Sequence, residues 1–98
     1  MFFEWDSKKN KANFTKHGVW FEETVTAWQD PLAIEKFDEI NSYEEDRHLL
    51  LAKTSLHRIL VISFTEIIGE QIIRIISARL ATERERKTYE ERIRLFKA

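Results

Sequence analysis

Arg47-His48-Leu49-Leu50-Leu51-Ala52-Lys53, Arg58-Ile59-Leu60-Val61-Ile62-Ser63-Phe64-Thr65-Glu66 and Glu70-Gln71-Ile72-Ile73-Arg74-Ile75-Ile76-Ser77-Ala78-Arg79 are consecutive runs rich in leucine and β-branched residues. Only Thr54-Ser55-Leu56-His57 and Ile67-Ile68-Gly69 separate them. Such composition with short polar or glycine-bearing breaks predicts an antiparallel meander. Ile72, Ile73, Ile75 and Ile76 are apolar on both faces of the pleat, which predicts a central third strand covered at least in part on each side.

Outward from the meander, Leu32 to Phe37 reads as one more strand, followed by an acidic loop from Asp38 to Asp46. Phe2 to Trp5 alternates as a short strand, and Asp6 is a suitable N-cap for a helix over Ser7 to His17. Gly18 stops that helix with the left-handed conformation a C-terminal cap needs. Phe21, Val25 and Trp28 share one face of a second helix over Phe21 to Gln29, ended by Asp30-Pro31, so a helical hairpin precedes the sheet. Thr82 and Glu85 form a capping box for a last helix, whose apolar stripe Tyr89, Ile93 and Phe96 should pack on the sheet. The fold class is α+β, with an antiparallel sheet of about four strands, an N-terminal helical hairpin and a C-terminal helix.

A chain of 98 residues with 43% hydrophobic and 34% charged residues supports one folded domain over 1–98. With no cysteine and only two glycines, it has no disulfide, thiolate nucleophile, cysteine zinc site or glycine-rich phosphate loop. The apolar-rich runs Leu49 to Ala52 and Ile59 to Phe64 fall far short of the roughly 20 residues of a membrane span. Met1 to Asp6 has no basic leader with an apolar stretch, so the expectation is a cytoplasmic protein with no membrane partner.

The formal net charge of −1 is unevenly distributed: residues 7–17 carry a net +4, residues 22–46 a net −8 and residues 47–98 a net +5. Such segregation can create a basic face on a nearly neutral protein. The lysine-rich first helix, Arg47, Arg74 and Arg79 can converge on one phosphate backbone, because arginine binds phosphate through two parallel donors and stays charged. Strict alternation over five positions points Arg74 and Arg79 to opposite faces, so either a bulge separates them or only one lines a site. His17 suits proton transfer near neutral pH or, equally, caps its helix. Tyr89 suits proton donation, base stacking or plain packing. His48 and His57 have no second ligand at metal spacing, so no metal site is expected, and no cofactor.

Taken together, Phe3-Glu4-Trp5-Asp6, Lys9, Asn13, Lys16-His17-Gly18-Val19, Phe21-Glu22-Glu23 and Asp30-Pro31 resemble the opening of the BrnT toxins of bacterial type II toxin–antitoxin systems. Ile73-Arg74-Ile75-Ile76-Ser77-Ala78-Arg79, Ala81-Thr82 and Glu85-Arg86 with Tyr89 resemble the family's closing signature. The resemblance implies a RelE-like fold and an endoribonuclease that cleaves RNA and arrests translation. It implies neutralisation by a BrnA-type antitoxin, with operator DNA bound only through that partner. Carried to matching positions, it makes Arg74, Arg79, His17 and Tyr89 catalytic candidates and Lys9, Lys16 and Arg47 RNA-binding ones. Trp20 stands where relatives often have a small polar residue able to cap the second helix, and Ala52 and His57 stand where glycines are common.

The corresponding mechanism is metal-independent attack of the RNA's own 2′-hydroxyl on the adjacent phosphate, with His17 or Tyr89 moving protons and Arg74 and Arg79 stabilising charge. The other class is a non-enzymatic module that uses the same basic face to bind RNA or a protein. Direct DNA binding by this chain is a weaker reading, since no helix-turn-helix pattern is present.

Overall fold

The computed structural model describes residues 1–97. Its strands are β1 (Phe2–Glu4), β2 (Ile34–Phe37), β3 (His48–Lys53), β4 (Ile59–Ile67) and β5 (Ile72–Leu80), and its helices α1 (Ser7–His17), α2 (Phe21–Val25) and α3 (Glu83–Lys97). A 3-10 turn over Thr26–Gln29 completes the second expected helix. The five strands form one sheet in the order β1-β5-β4-β3-β2. β2 to β5 are the expected antiparallel set, and β1 adds a parallel edge through Phe2 to Glu4 against Ile72 to Arg74.

One sheet face carries the core. Leu50, Ala52, Leu60, Ile62, Phe64, Ile73, Ile75 and Ala78 pack there against Val19, Phe21 and Ala27. Trp28 meets both Phe3 and Phe64 edge-on, with ring centroids 5.1 and 5.0 Å apart, and so welds the helical layer to β1 and β4. The strand buried on both faces is β4, from Leu60 to Thr65, and not the third run. The sequence of β5 reads as apolar on both faces because its alternation is interrupted. Ser63 pairs with Ser77 but Phe64 pairs with Ile75, which leaves Ile76 as the extra residue of a β-bulge. Burial follows: Ile73 and Ile75 face the core, and the next residue to do so is Ala78, three positions on.

α1 is a polar helix whose only buried residues are Asn10 and Asn13. Asp6 caps it through Lys8 and Lys9 N–H, and Gly18 closes it at φ 70°. β1 ends opposite Arg74, so among the described residues the outer edge of β5 beyond it has no strand partner. Asn13 takes that place: its Oδ1 accepts from Ala78 N–H at 3.1 Å, and its Nδ2 donates to the carbonyls of Ala78 and Val19 at 2.9 Å. Asn10 Oδ1 accepts from Phe21 N–H at 2.7 Å. It thereby caps α2 where Trp20 supplies no side-chain cap. Trp20 instead stacks on Phe14, centroids 4.2 Å apart. His57 turns the β3–β4 hairpin at φ 63°, the conformation that glycine supports without strain.

α3 begins with the expected capping box, Glu85 N–H donating to Thr82 Oγ1 at 3.2 Å and Thr82 N–H to Glu85 Oε1 at 2.8 Å. Its stripe packs only through the first half: Tyr89 is buried, Ile93 half-buried and Phe96 75% exposed. Among the described residues no helix is long and apolar enough to cross a membrane.

Asn13→Ala strands three buried backbone groups at about 1–3 kcal/mol each, so thermal unfolding should shift down by at least about 10 °C. An unchanged melting temperature would show that Asn13 does not hold the β5 edge.

Candidate functional site

The bulge decides the composition of the sheet face opposite the core. Across the β4–β5 ladder Val61 pairs with Arg79, Ser63 with Ser77 and Thr65 with Arg74. Val61, Ser63 and Thr65 alternate with the core residues Leu60, Ile62 and Phe64, so Arg74 and Arg79 stand together on the outer face. Arg47 immediately precedes β3, and the register continued by one residue sets it opposite Thr65, in the row of Arg74. The three candidate arginines thus share one face. Beside them Ile34, Leu49, Leu51 and Val61, with Lys36, Glu85 and Thr88, line a cavity of about 160 Å³ between the sheet and α3.

Each arginine has a carboxylate companion. Arg74 Nη1 donates to Glu4 Oε2 at 2.8 Å, and Arg47 Nε lies 3.5 Å from Glu45 Oε1. Arg79 binds both oxygens of Glu85, Nη1 at 2.7 Å and Nη2 at 3.0 Å. The Arg79 guanidinium is the main reason the Glu85 carboxyl is held down at about 2; the Thr82 N–H adds to it against a modest cost of burial. Glu4 and Glu85 are the residues that sequence reasoning missed. Glu85 was visible only as a helix cap, and nothing in the order of residues pairs Glu4 with Arg74, 70 positions away.

The lysines and His17 occupy different sides of α1. Helical spacing puts Lys9 and Lys16 together on the flank away from Phe14, which faces Trp20. Both are exposed. Asp6, which caps α1, follows Glu4 by two residues, and Glu4 pairs with Arg74, so the start of this flank lies near that end of the arginine face. His17 continues the inward stripe of Asn10 and Asn13 and is half-buried at the helix end, apart from the lysine flank.

Tyr89 is set apart from the arginines by its partner. Its hydroxyl donates to Asp30 Oδ2 at 2.6 Å, and Asp30 also accepts from Lys53 N–H at 2.8 Å and Leu32 N–H at 2.9 Å. Burial, then the Asp30 carboxylate, raises the Tyr89 pKa far above that of a free phenol. Burial alone would raise Asp30, but the donors from Lys53, Tyr89 and Leu32 outweigh it and hold the carboxyl below its usual range. The geometry makes Tyr89 the tie between α3 and the loop after α2. Arg58 makes a comparable tie elsewhere, with Nε on Glu23 Oε2 at 3.0 Å and Nη2 on the Gly18 carbonyl at 3.0 Å. Among the described residues no three His, Asp or Glu side chains converge as metal ligands would.

The Glu85 carboxyl titrates at about 4.5 in the unfolded chain and about 2 in the fold, so its contribution is complete above pH 4.5 and is lost as the pH falls toward 2. The stability difference between the wild type and Glu85→Gln should shrink from about 1 kcal/mol at neutral pH to near zero at pH 2, after allowance for solvent screening. A difference independent of pH, measured by urea unfolding, would contradict the pairing.

A family described as the ribonuclease toxin, BrnT, of type II toxin-antitoxin system matches residues 5–85. Among solved structures the chain is similar to the crystal structure of the Brucella abortus ribonuclease toxin, BrnT, with a TM-score of 0.55 and 22% identity, covering 85% of this chain and 100% of that one. At that identity the likeness is one of fold. No curated protein matches the chain.

Proposed function

The chain belongs to the BrnT family of ribonuclease toxins of type II toxin–antitoxin systems, and on that premise we propose that it is a metal-independent endoribonuclease that cuts RNA in the cytoplasm and inhibits translation. The observation that carries the reading is the outer sheet face, to which the bulge at Ile76 brings both Arg74, opposite Thr65, and Arg79, opposite Val61, with Arg47 in the row of Arg74. A row of fixed cations can bind successive phosphates and offset the extra negative charge that develops on the phosphate under attack.

In the proposed reaction the ribose 2′-oxygen attacks the adjacent phosphorus and the bond to the 5′-oxygen breaks, leaving a 2′,3′-cyclic phosphate and a 5′-hydroxyl. A base takes the 2′-hydroxyl proton and an acid supplies one to the leaving oxygen. Arg79 and Arg74 stabilise the phosphorane-like state, while Lys9, Lys16 and Arg47 hold the flanking backbone. His17 is the proposed proton carrier, placed at the end of α1 and apart from the lysine flank. Tyr89, its proton committed to Asp30, supports the site by holding α3. Side-chain cations supply the charge stabilisation that metal ions supply in other nucleases.

A type II system supplies an antitoxin. We infer a BrnA-type partner whose acidic segments cover the arginine face and through which alone operator DNA is bound.

Purified protein incubated with RNA in EDTA should cut it, and Arg79→Ala should lower cleavage at least ~100-fold while keeping its fold. RNA bound but left intact by the wild type would favour the non-enzymatic binding module. Cleavage only with added Mg²⁺ would overturn metal independence, and full activity of folded Arg79→Ala would remove the site from this face.

A further inference from the structure

An arginine side chain offers five N–H donors in one plane, grouped as an end fork from the two Nη atoms and a side fork from Nε and Nη2. In Arg79 the end fork is filled. Nη1 donates to Glu85 Oε1 and Nη2 to Glu85 Oε2, and the second Nη1 hydrogen is directed to the Leu80 carbonyl at 3.3 Å. Among the described residues the side fork has no partner, and the side chain is 42% exposed. Two parallel donors at the spacing of two phosphate oxygens therefore remain available on the outer face.

The carboxylate that fills the end fork is itself fixed. Glu85 Oε1 also accepts from Thr82 N–H, and Glu85 N–H donates to Thr82 Oγ1, so the side chain belongs to the rigid first turn of α3. α3 is in turn tied to the body through Tyr89 and Asp30. The chain of contacts runs from Asp30 through Tyr89 and α3 to Glu85 and Arg79. No other candidate arginine is held in this way, since Arg74 meets Glu4 through one Nη and Arg47 meets Glu45 at 3.5 Å.

We propose that Glu85 is a positioning residue for phosphate binding: by occupying one fork of Arg79 it fixes the guanidinium plane and presents the other fork to the phosphate under attack. The proposal rests on the ribonuclease reading above. A long side chain left free would lose rotamer freedom on meeting each phosphate, and Glu85 removes that freedom beforehand. The pair is also stable as a unit, because the carboxylate makes three charge-assisted or capping bonds that substrate binding on the opposite edge need not break.

Glu85→Gln tests it, because glutamine retains the oxygen that caps Thr82 N–H and loses the second acceptor and the charge. With RNA in EDTA, kcat should fall about 10–100-fold, with a smaller change in KM and a melting temperature lowered by roughly 4–8 °C with the fold retained. In an Arg79→Lys background, where no fork exists to align, the same substitution should cost less than about twofold. Wild-type kcat in a folded Glu85→Gln variant would overturn the proposal. So would an equal loss in the Arg79→Lys background, which marks a purely structural role, or a raised kcat, which makes Glu85 a competitor of the phosphate. If the wild type leaves RNA uncut, the ribonuclease reading fails and this proposal with it. If the wild type cuts, Arg79→Ala does not and Glu85→Gln is normal, only the role of Glu85 fails.

Discussion

One unpaired residue in one strand governs the outer face of this protein. Were β5 regular, Arg74 and Arg79 would point to opposite sides and one guanidinium would enter a core filled by Phe64, Ile75 and Ala78. The bulge at Ile76 restores both requirements together, apolar residues inward on each side of it and arginines outward. It occurs where β5 has lost β1 as a neighbour, and Asn13 takes up the freed edge two residues later at Ala78. A helix with almost no apolar surface can dock there because amide hydrogen bonds, and not burial of hydrocarbon, provide the attachment.

The electrostatics follow a related economy. A face that carries several cations has to limit their self-repulsion in the free protein. Carboxylates from neighbouring elements do this: Glu4 from β1 for Arg74, Glu85 from α3 for Arg79 and Glu45 from the β2–β3 loop for Arg47. The acids leave part of each guanidinium open, and the exposed lysines Lys9 and Lys16 of α1 add charge. The near-zero net charge of the chain is thus compatible with a cationic face.

Much of the fold was legible because it is written in local signals. Asp6 and Gly18 cap α1 as their types require, Thr82 and Glu85 make the capping box, and the β3 to β5 runs pair as a meander. Where a local signal had two meanings, packing chose between them. The double apolar character of β5 reflects a slip in register, while burial on both faces falls to β4, whose Val61 lines a cavity with Glu85 and Thr88 of α3 on one side and whose other face meets the helical layer. The stripe Tyr89, Ile93, Phe96 predicts contact along all of α3, yet only Tyr89 is buried and Phe96 stays in solvent.

For the site, residue chemistry was readable and grouping was not. Side-chain type determines that Arg47, Arg74 and Arg79 can bind phosphate, that His17 can carry a proton and that no cysteine chemistry exists. Those properties belong to the residue wherever it sits. Sequence alone also determined the helix caps and the β3 to β5 meander, since each depends on neighbours a few positions away. Only the tertiary structure decided that Arg74 and Arg79 share a face, that Glu85 and Glu4 accompany them, that His17 turns inward and that Tyr89 gives its hydroxyl to Asp30. Those outcomes depend on register and on contacts between residues up to 70 positions apart, which pairing geometry sets and local pattern does not encode.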